Sequence, residues 1–142
     1  MRIVLIPCVA EKRETPAMAK DMYIGPLFEG AYRYARSLNP DKIFILSGKY
    51  GLLEETDMIE PYDENLNIKP TDEIKKWAKN VLAKLSQKTD LQKDEFIFLA
   101  GNKYRKFLLE SIRHSSIPIK GLTLEQQITF YSRKLDLPPL HA

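Results

Sequence analysis

Three short apolar runs, at residues 2–6, 42–46 and 95–100, limit what this chain can fold into more than any other feature. They read Arg-Ile-Val-Leu-Ile, Lys-Ile-Phe-Ile-Leu and Glu-Phe-Ile-Phe-Leu-Ala. Each is too short for a helix and too continuously apolar for a strand with one wet face. Runs of this kind suit strands covered on both faces. The segments between them carry helical periodicity. Strands alternating with helices imply parallel strands joined by right-handed crossovers.

The intervening helices have their own signals. Gly25-Pro26 opens the first, with proline at the first helical position, where its missing N–H costs nothing. Leu27, Phe28, Ala31, Ala35 and Leu38 then share one face, and Asn39-Pro40 ends the helix. Thr71 is the expected N-cap of the second, with Asp72 and Glu73 favouring the positive end of its dipole. Ile74, Trp77, Ala78, Val81, Leu82 and Leu85 form the clearest apolar stripe in the chain. That stripe puts Trp77 in the core. Gly101-Asn102 leads into a third helix, with Tyr104, Phe107, Leu108 and Ile112 inward and Lys103, Arg105, Lys106 and Arg113 on its other faces, broken at Ser115-Ser116. Ile117-Pro118-Ile119 reads as an edge strand because of its proline. Thr123-Leu124-Glu125-Gln126 reads as a capping box opening a last helix to about Lys134, followed by a tail at 137–142.

The expected fold is α/β: a single domain over residues 1–142, a three-layer sandwich with a mostly parallel central sheet, Rossmann- or flavodoxin-like. The expected strand order is 2-1-3-4, with the switch point between the first and third strands. A chain of 142 residues with 44% hydrophobic residues can bury one ordinary core.

Charge and cysteine content narrow the function classes. A net charge of +3 permits phosphate or nucleic-acid binding without demanding it. One cysteine, Cys8, allows no internal disulfide, which fits a reducing, cytoplasmic setting. The apolar run at 3–6 is too short for a signal peptide, and none approaches the roughly 20 residues that span a bilayer. No membrane partner is expected. His114 and His141 stand apart, and CxxC, HExxH, GxGxxG and GxxxxGK[ST] are all missing from the sequence, so no metal and no cofactor is expected.

In this layout three strand ends meet at one edge, where open α/β folds bind ligands. They bring residues 8–12, 47–51 and 101–104. Ser47-Gly48-Lys49-Tyr50-Gly51 can hold an anion, the glycines exposing backbone N–H groups and Lys49 adding charge; a plain turn is the ordinary alternative. Lys12, Gly101, Asn102 and Tyr104 complete the ligand-binding set. The acidic stretch at 54–64 is usually a solvated surface, but it ends in Pro61-Tyr62-Asp63 and can fold back over the edge. Asp63, Ser47 and Tyr62 are then the candidate catalytic groups, Asp63 as general acid/base or as the ion-pair partner of Lys49. Cys8 follows a strand with Lys12 and Arg13 nearby, yet no histidine is close in sequence, so a structural cysteine is the commoner case.

Several pieces resemble a family of small, uncharacterised bacterial, archaeal and phage proteins that is distantly similar to the YaaA-type peroxide-stress proteins. They are Tyr23-Ile24-Gly25-Pro26-Leu27-Phe28, then Leu46-Ser47-Gly48-Lys49-Tyr50-Gly51-Leu52-Leu53, then Ile59-Glu60-Pro61-Tyr62-Asp63, with Leu99-Ala100-Gly101-Asn102-Lys103-Tyr104 and Gly121-Leu122 further on. In YaaA-type proteins the similar segment is a serine-glycine-x-tyrosine-glycine turn followed by a proline-tyrosine pair. Those proteins are implicated in DNA binding through a helix-hairpin-helix, of which Ile119-Lys120-Gly121-Leu122 is a weak echo. Residues and resemblance together give two expectations. One is an enzyme acting on a nucleotide, nucleoside or nucleic acid, by N-glycosidic or nucleotide hydrolysis. The other is a non-catalytic DNA- or RNA-binding module. Neither sets the oligomeric state.

Overall fold

The computed structural model describes residues 1–136; the tail expected at 137–142, with His141, lies outside them. In chain order the elements are β1 (Arg2–Pro7), β2 (Ala17–Met18), α1 (Ala19–Met22), α2 (Pro26–Ser37), β3 (Lys42–Ser47), β4 (Gly51–Glu54) and β5 (Met58–Ile59). A 3-10 turn (Leu66–Ile68), α3 (Thr71–Lys88), β6 (Glu95–Phe98), α4 (Asn102–Leu109), β7 (His114–Ser116) and α5 (Leu124–Lys134) follow. The main sheet has five strands in the order β4-β3-β1-β6-β7. β1 is parallel to both β3 and β6, β6 is parallel to β7, and β4 turns back antiparallel on β3. The four parallel strands therefore stand in the order expected from the sequence, 2-1-3-4.

Both faces of the three central strands, β1, β3 and β6, are dry, as the unbroken apolar runs require. Ile3, Leu5, Phe44, Leu46, Phe96 and Phe98 point to the side covered by α3 and α4. Their neighbours Val4, Ile6, Ile43, Ile45, Ile97 and Leu99 point to the side covered by α2 and α5. Each such side chain contributes about 1.5–3 kcal/mol of burial free energy. Trp77 is buried on the α3 stripe, as its spacing requires. The capping box at Thr123 is complete, with Gln126 N–H donating to Thr123 Oγ1 and Thr123 N–H to Gln126 Oε1.

Five local expectations are corrected. The segment after β3 is not one long loop, because Leu52 and Leu53 are apolar enough to be buried as an added antiparallel strand. Residues 8–22 are not all loop: Ala17 and Met18 pair with Ile59 and Met58, and α1 follows. Pro70 takes the N-cap position of α3 and Thr71 is already helical. The last parallel strand is His114–Ser116, not 117–119, and α4 stops at Leu109 before reaching the serines. Pro118, which has no N–H for a ladder, falls just beyond that strand.

Candidate functional site

The carboxyl ends of the parallel strands carry two different constructions. The first is the turn after β3. Ser47 is fully buried, and its Oγ accepts N–H bonds from Lys49 (3.2 Å) and Tyr50 (2.9 Å). Both oxygen lone pairs are then used, so its one proton goes to Tyr62 Oη, 2.7 Å away. Tyr62 Oη lies 2.5 Å from Tyr23 Oη, extending the chain of hydroxyls to the first loop. Below the turn, Trp77 Nε1 donates to the Ser47 carbonyl at 2.7 Å. Above it the returning segment presses so closely that a Cβ on Gly48 would stand 2.7 Å from the Glu64 carbonyl oxygen. Gly51, at φ 74°, starts β4 over Val81.

The second construction is a cleft of about 440 Å³ at the switch point, where β1 lies between β3 and β6. One wall is the loop after β1, with Cys8, Val9 and Lys12. The antiparallel pairing of Glu11–Arg13 with Met22–Ile24 holds that loop: Ile24 N–H donates to Glu11 O and Arg13 N–H to Met22 O. Beside it stands the start of α2, Gly25-Pro26-Leu27. Gly25 has φ 109°, a backbone angle that favours glycine. The first intrahelical bond of α2 is Glu29 N–H to Gly25 O, which leaves the amides of Leu27 and Phe28 without helical acceptors. The opposite wall is the returning segment with Asp63, Asn65 and Asn67, and Tyr104 of α4. Leu124 and Ile128 of α5 close the apolar side.

Tyr104 is the pin of the second wall. Its hydroxyl accepts from Leu66 N–H (3.2 Å), lies 3.4 Å from Asn65 Oδ1 and receives Cys8 Sγ–H at 3.5 Å. Burial first, and the neighbouring Cys8 second, push the Tyr104 phenol well above its ordinary range. The same two causes, in the same order, raise Tyr62. Tyr23 is raised chiefly by burial. All three stay neutral around neutral pH and act as hydrogen-bonding groups, not as bases.

The sequence candidates therefore separate. Asp63, Lys12 and Tyr104 line the cleft, Asp63 as an exposed residue. Ser47, Tyr62 and Gly48 lie in the hydrogen-bonded turn, outside the cleft lining. Lys49 is exposed, with its ammonium 5.3 Å from the centre of the Tyr50 ring, and neither residue lines the cleft. Among the described residues no ion pair joins Lys49 to Asp63. Gly101 and Asn102 are exposed at the start of α4, and a Cβ on Gly101 would meet nothing within 4 Å, so its glycine is not sterically required. Lys12 connects the two constructions: its ammonium sits 4.5 Å from the centre of the Tyr62 ring.

Sequence reasoning missed the contributions of Gly25, Pro26, Asn65, Asn67, Leu124 and Ile128 to the cleft. Only the Gly25-Pro26 pair carried a usable signal, a glycine before a proline at a helix start. Among the described residues no three His, Cys, Asp or Glu side chains are grouped as a metal site needs. No described helix is long and apolar enough to cross a membrane.

The profile of a family of unknown function, DUF6884, matches residues 3–133, and the chain belongs to that family. No curated protein matches it.

Proposed function

We propose that the switch-point cleft binds a nucleoside or nucleotide and that the protein hydrolyses it at the N-glycosidic bond. The observation that carries this is one cleft of about 440 Å³ lined by aliphatic side chains, a helix start, a lysine and, at its margin, a carboxylate. That volume lies in the range of small-molecule sites. Ile24, Leu27, Leu124 and Ile128 supply faces for a base, and Asn65 and Asn67 supply amides for its edge or the sugar hydroxyls. Lys12 and the uncommitted amides at the start of α2 favour a phosphate. Asp63 would take a proton from the attacking water and return it to the leaving nitrogen. Tyr104, held neutral, fixes the wall that carries Asn65.

A second reading, recognition without turnover, is favoured by one specific observation: Asp63 is exposed and not enclosed in the cleft. One experiment separates them. Thermal shift and calorimetry with nucleosides and nucleotides measure binding, since a ligand of the native state raises the midpoint by mass action. Chromatography of the same mixtures detects released base. We expect binding and release with the wild type, and binding without release with Asp63→Asn. Binding with no release by the wild type selects the recognition reading. Absence of any shift or heat at millimolar ligand overturns both. Lys12→Met should weaken a nucleotide more than its nucleoside.

A further inference from the structure

The basic residues are not spread evenly over the molecule. Residues 69–88 hold six lysines against two acids, and residues 103–113 hold four basic residues against one acid. The whole chain is only +3, so the remainder is net negative. One of those basic groups is structural: Arg105 is buried and donates to the Ala100 carbonyl at 2.9 Å. The lysines at 75, 79, 103 and 106 are exposed.

They form a connected path. Lys75 and Lys79 stand one turn apart on α3, and Lys103 and Lys106 stand one turn apart on α4. Between the two helices runs an open groove of about 420 Å³ with the half-buried ring of Phe107 in it. The ammonium groups of Lys75 and Lys106 each lie 5.5 Å from the centre of that ring. At the upper end Lys103 Nζ donates to the Asn67 carbonyl at 3.0 Å, and Asn67 is on the rim of the cleft. These lysines thus lead down the α3–α4 face from the cleft, with Glu110 the one carboxylate in the groove lining. On the cleft's other margins stand the carboxylates of Glu11, Asp63 and Glu64. Apart from the margin of Lys12 and the α2 start, where the nucleotide's own phosphate is placed, they disfavour phosphates, so a phosphate chain leaving the cleft is directed toward Lys103.

We infer that the α3–α4 groove and the cleft form one track for single-stranded nucleic acid, with phosphates on Lys103, Lys106, Lys75 and Lys79 and one nucleotide in the cleft. The inference rests on the nucleotide reading of the cleft and makes its substrate a unit of a polymer instead of a free nucleotide. Lysines flanking an aromatic ring in a groove suit a flexible strand, whose backbone follows the charge while a base meets the ring. A membrane surface is less well matched, because the apolar groups here, Leu82 and Phe107, are half-buried in a concavity and do not protrude.

The test compares a twelve-nucleotide single strand, its duplex, a mononucleotide, and vesicles containing phosphatidylserine. Binding is measured from 50 to 200 mM salt with the wild type and the surface triple variant Lys75→Gln, Lys79→Gln, Lys106→Gln. The wild type should bind the single strand with strong salt dependence. The triple variant should lose about tenfold or more in that affinity, and its slope of log K against log salt should flatten by about 2. Its mononucleotide binding should not change. Equal single-strand affinity and slope in the two proteins overturns the track while the cleft reading stands. So does a wild type that binds the mononucleotide but not the strand. Tighter binding of the duplex, or of vesicles, with the same sensitivity to the triple variant, overturns the assignment to single strands. A strand bound through the lysines with no mononucleotide binding instead sinks the cleft reading and leaves the basic groove.

Discussion

The turn after β3 and the loop after β1 occupy neighbouring positions at the same sheet edge, yet they are built to opposite ends. In the β3 turn almost every polar group has a protein partner. Ser47 Oγ takes two amides and gives to Tyr62, the Ser47 carbonyl takes Trp77, and Gly48 is pressed against the Glu64 carbonyl. Of its polar side chains the exposed Lys49 alone is left facing solvent, beside the Tyr50 ring. In the β1 loop, Cys8, Val9 and Lys12 face an open cleft together with the start of α2. A turn whose buried polar atoms are bonded to one another serves as scaffold, and a turn beside it whose groups face a cavity is where a ligand can bind. The distinctive sequence belongs to the first and the accessible chemistry to the second.

The largest expected effect tests the scaffold from below. Trp77→Ala removes a buried indole from the α3 stripe and the donor to the Ser47 carbonyl. It should cost about 3–5 kcal/mol in chemical denaturation. An unchanged midpoint would mean that the β3 turn stands without that support. Gly48→Ala tests it from above. The added carbon meets a backbone carbonyl at 2.7 Å, which cannot rotate aside as a side-chain end could. A loss of about 1–3 kcal/mol is expected, with the 60–67 segment displaced. The control is Gly101→Ala, where a Cβ meets nothing within 4 Å, and its midpoint should hardly move. Equal costs at the two glycines would erase the contrast between a packed turn and an open one.

The periodicities explain how much of this was legible. Continuous apolar runs, the α3 stripe and the Thr123 capping box report on local burial and capping, so the α/β alternation, the parallel strand order and the buried Trp77 could be read directly. Local patterns say less about pairing partners. Leu52-Leu53 looked like part of an acidic loop because only the neighbouring β3 makes it a strand, and His114–Ser116 looks polar because it is an exposed edge. At the sheet edge the limit is sharper. Sequence brings the turns at 8–12, 47–51 and 101–104 together but not which atoms are already bonded. Lys49 and Lys12 look alike as loop lysines, and only coordinates place Lys12 on the cleft and Lys49 away from it. Leu124 and Ile128 gave no warning, since a cleft-facing leucine on an amphipathic helix looks like any other.

A smaller effect should come from Tyr62→Phe. The ring stays, but Ser47 loses its acceptor and Tyr23 its neighbour in a buried place. The cost should be about 1–2 kcal/mol, within the range for an unpaired buried polar group. Tyr50→Phe, whose hydroxyl meets the Glu60 backbone in an exposed place, should cost distinctly less. The pH dependence follows from the raised phenols. Below the ordinary value of 10.0 both folded and unfolded states keep these tyrosines neutral, and stability is level on their account. Above it the unfolded chain ionises while the folded one resists, so stability falls as pH rises. Tyr62→Phe removes one such group, and its denaturation midpoint should fall less steeply above pH 10 than that of the wild type.

The smallest effect probes a side chain that joins the two constructions. Lys12 belongs to the β1 loop, but its ammonium lies 4.5 Å from the centre of the Tyr62 ring and 5.8 Å from that of Tyr23. Lys12→Met keeps an aliphatic stem and removes both the charge and its exposed 3.2 Å bond to the Ala10 carbonyl, so it should cost about 0.5–1 kcal/mol, mostly of cation–π attraction. The attraction is to the face of the ring, not to the hydroxyl. In a double-mutant cycle with Tyr62→Phe the two losses should therefore add, within about 0.3–0.5 kcal/mol, because phenylalanine still offers the face. With Tyr62→Leu the nearer face is gone, and the cost of Lys12→Met should shrink to what the Tyr23 ring and the Ala10 carbonyl contribute. Strong coupling to Tyr62→Phe would show that the hydroxyl chain and the lysine act as one unit, and the scaffold would then extend into the cleft. Additivity would keep the boundary where the hydrogen bonds put it, between a wired turn and a loop whose lysine is held in place by an aromatic face while its charge remains available to a ligand.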